Sequence, residues 1–392
     1  MKIILSPDSF KESMSAREAC EAMTRGIYEV WPDAEVVALP VADGGEGFGE
    51  VLVEALEGEL IAVPVTGPRG ERLDAHLGWI ERDATAIVES AQACGLDLVP
   101  TDQRDPRKTT TGGVGDLIAA ALDRGATTII LGLGGSATND LGAGMLDRLG
   151  VKFLDDAGGR VAIIGGGSLE KVSSVDVTGL DPRLATATVI AASDVDNPLT
   201  GKNGASAIFG PQKGATAEIV QELDEHLGRV GRLLEDALDR TFIDSAGAGA
   251  AGGLGAAVLG PLHGELKPGI DIVLDAWDFD GHVRAADLVL TGEGSIDGQT
   301  ATGKAPWGVA GRARDAGVPV VAFAGKLGEG HDTLDRFDAI MPIVAGIGDL
   351  EDALANGPDN LAAATARACA LIALEVPRTG VHHVDAGSPR SA

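Results

Sequence analysis

Short apolar runs that end in glycine- and acid-bearing loops recur along this chain, separated by stretches of helical periodicity. The runs at 3–5, 35–40, 127–131, 188–192, 287–290, 319–323 and 339–344 are rich in Ile, Val, Leu and Ala and read as buried strands. Between them, residues 16–30 and 217–238 carry the i, i+3, i+4 spacing of amphipathic helices, the first with Ser13 or Ser15 available as its cap. Strands alternating with helices predict an α/β fold with parallel sheets. The runs at 3–5, 35–40, 287–290, 319–323 and 339–344 come from both ends of the chain. They predict one discontinuous, doubly wound, Rossmann-like domain formed by residues 1–65 and 281–378, with a second α/β domain inserted at 66–280 and a disordered tail at 379–392.

The loops carry the candidate chemistry. In 126–145 (ATTIILGLGGSATNDLGAGM) an apolar strand opens into Gly134, Gly135, Ser136, Thr138 and Asn139, and a helix can start at 143 with its free N–H groups facing an anion. A plain strand-ending turn explains the glycines equally simply. The chain has more such loops, each of small residues around one or two carboxylates: Ser6-Pro7-Asp8-Ser9-Phe10-Lys11, Val41-Ala42-Asp43-Gly44-Gly45-Glu46-Gly47 and Thr291-Gly292-Glu293-Gly294-Ser295-Ile296-Asp297. In an open parallel sheet the ligand crevice lies outside the carboxyl ends of the strands, so Asp8, Asp43 and Glu293 are expected to converge there, with Lys11 placed to meet a phosphate. In Ser193-Asp194-Val195-Asp196-Asn197-Pro198, Asp194 and Asp196 can hold Mg²⁺ through oxygen or one aspartate can deprotonate a hydroxyl, while an Asx-turn before proline is the structural alternative. The turn at 210–214 carries Lys213. Residues 298–304 (GQTATGK) fit the spacing of a P-loop, but Ala305 stands where Mg²⁺ needs a hydroxyl, so the segment reads as a lookalike.

These motifs resemble those of the bacterial type I glycerate kinases along nearly the whole chain. The resemblance rests on PDSFK at 7–11, VADGGEG at 41–47, GGSATND at 134–140, GPQKGA at 210–215, GAGAAGG at 247–253 and TGEG at 291–294, in that order. Leu141 stands where a glycine usually follows the Asn-Asp pair. The resemblance implies transfer of the γ-phosphate of ATP to D-glycerate with Mg²⁺ required, usually giving 2-phosphoglycerate, between two domains that close on the substrates.

Phosphoryl transfer depends on positioning and charge neutralisation. Asp194 is accordingly expected as the base, with Asp8 next, and Lys11 facing phosphate. Asp43, Glu293 and Ser9 are expected at the substrate, and Arg104 is expected to clamp its carboxylate. Gly134, Gly135, Ser136, Thr138, Asn139 and Lys213 are expected at the nucleotide, and Asp194 with Asp196 at the metal. A kinase of another small hydroxy acid, a kinase forming 3-phosphoglycerate and a non-catalytic nucleotide or anion sensor remain as alternatives at this level.

Bulk properties narrow the class. A formal net charge of -28 argues against nucleic-acid and anionic membrane partners, which are met by clustered Lys and Arg. Three distant cysteines form neither a disulfide framework nor a zinc motif. His382-His383 sits in the polar tail. With no apolar stretch near the ~18 residues a membrane span needs, a cytoplasmic enzyme, monomeric or homodimeric, is expected.

Overall fold

A computed structural model describes residues 1–374 apart from Ala345 and Ile347; His382-His383 and the 379–392 tail lie outside the described residues. The strands, in chain order, are β1 (Lys2–Leu5), β2 (Glu35–Ala38), β3 (Glu59–Thr66), β4 (Arg72–Ile80), β5 (Thr85–Glu89), β6 (Thr128–Gly132), β7 (Lys152–Leu154), β8 (Ser174–Asp176), β9 (Thr188–Ala192), β10 (Glu265–Lys267), β11 (Leu288–Ile296), β12 (Val320–Leu327) and β13 (Ala339–Pro342). They form a five-stranded sheet of order β13-β12-β11-β1-β2, a six-stranded sheet of order β10-β9-β6-β5-β4-β3, and the small pair β7-β8.

The first sheet is parallel throughout and joins the two ends of the chain, Ile3 lying opposite Leu288 on one side and Val36 on the other. Side chains alternate across a strand, and β1 shows the consequence: Ile3 and Leu5 enter one apolar core while Ile4 enters another. Helices Ala16–Val30 and Gly357–Ile372 cover the first face through Met23, Ile27 and Leu361. Helix Ala305–Asp315 covers the second through Val309, and helices Phe48–Ala55 and Gly269–Ala276 extend that core through Leu52 and Ile270 to Ile80, Ile87, Ile130 and Ala192 of the second sheet. Of the two cap candidates Ser15 is used, in a reciprocal capping box with Glu18.

All strands of the second sheet lie in sequence between β2 and β11, and β5, β6, β9 and β10 run parallel. The hairpin β3–β4 adds two antiparallel strands at its edge. This sheet begins at Glu59, earlier than the expected start of the insert at 66, and Ile270, Val273 and Leu274 lie in a core shared by both sheets.

One expected loop is a strand. Residues 291–296 continue β11, with Glu293 opposite Ala324 of β12, so Glu293 projects from a sheet and not from a turn. At Gly292, within the expected loop, a Cβ would lie 2.5 Å from the Phe323 carbonyl oxygen, so glycine is what lets the two strands pair. The three cysteines are free and buried. Among the described residues no helix is long and apolar enough to cross a membrane.

Candidate active site

The carboxyl ends of the parallel strands of both sheets face one another. From the first sheet, β1 delivers Asp8, β2 delivers Asp43 and Gly44, and β11 carries Glu293; from the second, β6 delivers Gly134 and β9 delivers Asp194. The two sets are stitched together by backbone. The Gly134 N–H donates to the Gly44 carbonyl at 2.9 Å, and a Cβ on Gly269 would lie 2.2 Å from the Asp43 carbonyl oxygen. Asp8 is anchored from below, its N–H donating to the Gly292 carbonyl at 2.9 Å and one carboxyl oxygen accepting from the Ser9 N–H at 2.6 Å.

The carboxyl groups act on one another. Asp43 is the shared neighbour of Asp8, Asp194 and Glu293. Burial first, and then the charge of Asp43, raises Asp8 well above the usual carboxylate range, with the Ser9 N–H and Lys11 opposing. The same two causes push Asp194 up to about 7, opposed by the Gly269 N–H, which donates to it at 3.3 Å. Burial also raises Glu293, against the pull of Lys304. Desolvated like charges held this close are a donor set that a divalent cation would relieve. Among the described residues no three His, Cys, Asp or Glu side chains form a ready-made cage.

Beside the acids lies a cavity of about 740 Å³ walled by Lys11, Asp43, Gly44, Gly134, Gly135, Ser136, Asp194 and Lys213. Lys213 is 3% exposed, and its ammonium donates to Ser136 Oγ at 3.0 Å and the Thr138 carbonyl at 2.7 Å. Burial lowers it to about 8. A second cavity, of about 770 Å³, is lined by Asp8, Ser9, Lys11 and Glu89. A third, of about 780 Å³, opens on the far side of Asp194, and exposed Asp196 faces it.

Four expected residues are not brought to these walls. Glu293 is held on β11 by Lys304 and Thr300. Thr138 and Asn139 are buried beneath the glycine loop, the Asn139 amide donating to Ser206 Oγ at 2.8 Å. Arg104 donates to the carbonyls of Val99 and Leu96 at 3.3 and 3.4 Å, bracing the turn Leu96–Leu98. The expected anion at the helix start near 143 is internal. Asp140 accepts the N–H groups of Gly142, Gly144 and Thr111 at 3.1, 3.3 and 2.9 Å, so no ligand is needed to satisfy them. Leu141 takes φ +62°, a conformation that favours glycine.

Glu89 escaped the sequence reading. Glu89 ends β5, is 5% exposed, accepts the Gly49 N–H at 3.1 Å and is pushed up to about 7 chiefly by burial. A carboxylate closing the apolar run TAIVE was its available signal. Lys304, which ends the P-loop lookalike and from a helix start could offer a cation to a phosphate or lie solvated at the surface, pairs its ammonium with Glu293 at 3.2 Å.

Known proteins agree with this architecture. The profile described as Glycerate kinase family matches residues 3–373. The chain is 51% identical to a Bacillus subtilis (strain 168) glycerate kinase over 361 residues, 92% of this chain and 94% of that one. It is 45% identical to an Escherichia coli (strain K12) glycerate 2-kinase over 382 residues, 97% of this chain and 100% of that one. A crystal structure from Salmonella typhimurium LT2, provisionally named glycerate kinase 2, superposes with TM-score 0.84 at 47% identity, covering 95% of this chain and 98% of its own. With its full-length profile match, its relatives and its shared fold, this chain belongs to the glycerate kinase family.

Proposed function

We propose that the enzyme transfers the γ-phosphoryl group of Mg²⁺-ATP to the 2-hydroxyl of D-glycerate, giving 2-phosphoglycerate and ADP. The observation that carries the reading is the mutual approach of Asp8, Asp43, Asp194 and Glu293, with Asp43 and Asp194 walling a cavity that also holds Lys11, Lys213 and a glycine loop. Phosphoryl transfer needs these parts: cations and N–H groups around the phosphoryl oxygens, carboxylates for a metal, and one carboxylate as proton acceptor. The glycerate 2-kinase name of the Escherichia coli relative supports the 2-hydroxyl.

Asp194 is the base in this reading. Its carboxyl, titrating near the working pH, accepts the hydroxyl proton as the oxygen attacks phosphorus. Asp8 and Asp43 would hold Mg²⁺, which when bound neutralises charge on the phosphate oxygens. Lys213 and the N–H groups of the loop at 134–136 receive the nucleotide phosphates, and Lys11, shared by two cavities, receives the glycerate carboxylate or the phosphoryl group between them. Arg104 supports the wall.

We further propose a domain division near residues 58 and 268, supported by the sheet to which each strand belongs and by the packing of helix Gly269–Ala276 against helix Ala305–Asp315, which lies on β11 and β12. The two domains then close over the substrates, since transfer to a hydroxyl requires water to be kept out.

Incubation with Mg²⁺-ATP and D-glycerate, with ADP release coupled to enolase, tests the reading. Product consumed by enolase establishes donor, acceptor and regiochemistry together. ADP without an enolase substrate transfers the reading to the 3-hydroxyl, and absence of ADP overturns ATP as donor.

A further inference from the structure

Lys304 touches the acid cluster from a rigid support. It precedes helix Ala305–Asp315, whose first turn contains Pro306, and follows Gly303 at φ +119°. Its ammonium makes three contacts: Glu293 Oε2 at 3.2 Å, Glu293 Oε1 at 3.4 Å and the Ser295 carbonyl at 3.0 Å. Thr300 Oγ1, from the turn Gly298–Thr302 that leads to Lys304, donates to Glu293 Oε1 at 3.0 Å. The same short segment meets the opposite side of the cleft, since a Cβ on Gly303 would lie 3.5 Å from the Asp194 Cβ.

The charged groups that face Glu293 are Asp43, Asp8 and Lys304. Two of the three repel it. The Glu293 side chain is 10% exposed, so its position beside two like charges requires a cation that stays in place. Three contacts from a helix start supply one, whereas a surface lysine on a free stem would not.

We infer that Lys304 is a positioning residue of the reaction: its ammonium holds the Glu293 carboxylate within the Asp8–Asp43–Asp194 constellation, and its effect on catalysis passes through Glu293. The inference rests on the proposed placement of the active site at that constellation. The resemblance of 298–304 to a P-loop is then a coincidence of spacing, because the lysine serves a carboxylate of its own chain.

A double-mutant cycle tests this, with kcat and KM measured for wild type, Lys304→Met, Lys304→Arg, Glu293→Gln and the Glu293→Gln/Lys304→Met double variant, using Mg²⁺-ATP and D-glycerate. Lys304→Met should lower kcat at least about tenfold with KM for ATP changed less than about twofold, and Lys304→Arg should recover most of the loss. In the Glu293→Gln background Lys304→Met should cost less than about twofold more. Losses that multiply, or a loss carried by KM for ATP, would show direct contact with the nucleotide and overturn the inference. Lys304→Met with normal kcat would overturn it as well. A fall in melting temperature that Lys304→Arg fails to rescue would do the same, reducing the residue to a helix start. Glu293→Gln with normal turnover would instead remove the active site from this constellation, which separates failure of the placement from failure of the inference.

Discussion

Gly134 and Gly44, from different sheets, are joined by a 2.9 Å hydrogen bond from the Gly134 N–H to the Gly44 carbonyl. No side chain fits at Gly134. A Cβ would lie 2.5 Å from the Gly45 Cα and 2.8 Å from the Gly44 carbonyl oxygen, contacts of backbone on backbone that no rotamer change relieves. Gly134→Ala should therefore push the loop after β6 away from the loop after β2, misplacing Asp43 relative to Asp194. We expect kcat/KM for glycerate to fall about a hundredfold, as a displacement of about 1 Å does in a positioned site. The check is steady-state kinetics beside a melting curve; a variant that unfolds without losing specific activity at low temperature would contradict the positioning argument.

Asp194 ties stability and turnover to opposite sides of the same titration. Its carboxyl titrates near 7 in the fold against an ordinary 3.8, so between those values the folded state binds more protons than the unfolded one. Stability from this group is present below about pH 4 and is lost as pH rises through 7. Turnover needs the ionised base and should rise over the same upper limb. Asp194→Asn should lower kcat by about a hundred- to ten-thousandfold while leaving ATP affinity near wild type. It should also melt above the wild type at pH 8 and not at pH 4. Kinetics and calorimetry across pH 4–8 measure both, and a variant with near-normal turnover removes Asp194 from the role.

Much of the frame was legible because local signals and tertiary structure agree. The apolar runs at 3–5 and 188–192 become β1 and β9, and the helix at 16–30 keeps both its bounds and a Ser cap. The carboxyl-end rule brought Asp8, Asp43 and Glu293 together. What was not legible depends on partners distant in sequence. Gly292 looks like a turn residue until the Phe323 carbonyl is placed against it. Pro64 interrupts the pattern of β3, which survives because it is an edge strand. Asp140 belongs to the same motif as Ser136, yet it is consumed by the N–H groups of Thr111, Gly142 and Gly144, and nothing in a linear motif separates the residue facing the cavity from the one behind it.

Lys213 is buried on hydroxyl and carbonyl oxygens, with no carboxylate among its hydrogen-bond partners in the described residues. Burial depresses it from 10.5 to about 8. The unfolded chain thus binds its proton more tightly, and the contribution of this residue to stability is present above about pH 10 and lost as pH falls through 8. A cation kept at that disadvantage suits an anion that arrives with the nucleotide. Lys213→Met should leave the protein at least as stable at pH 7 and raise KM for ATP about tenfold or more. Differential scanning fluorimetry with and without ATP would show this as loss of the ligand-induced shift. An unchanged shift would place the phosphates elsewhere.

Glu89 ties a strand of the second sheet to a helix start beside the second cavity. It ends β5, and its carboxyl accepts the N–H of Gly49 in the first turn of helix Phe48–Ala55, which packs on β4 and β5 and on helix Gly269–Ala276. Burial pushes it up to about 7 from an ordinary 4.5, so its share of stability is present below pH 4.5 and declines as pH rises through 7. Glutamine keeps an oxygen for the Gly49 N–H and removes the buried charge. Glu89→Gln should therefore match the wild type near pH 5 and melt higher at pH 8. Glu89→Ala leaves that N–H unpaired and should cost about 1–3 kcal/mol at both pH values. If Glu89→Gln instead destabilises at pH 8, the charge itself is what the helix start requires, and the carboxylate acts as an ionised cap of that helix.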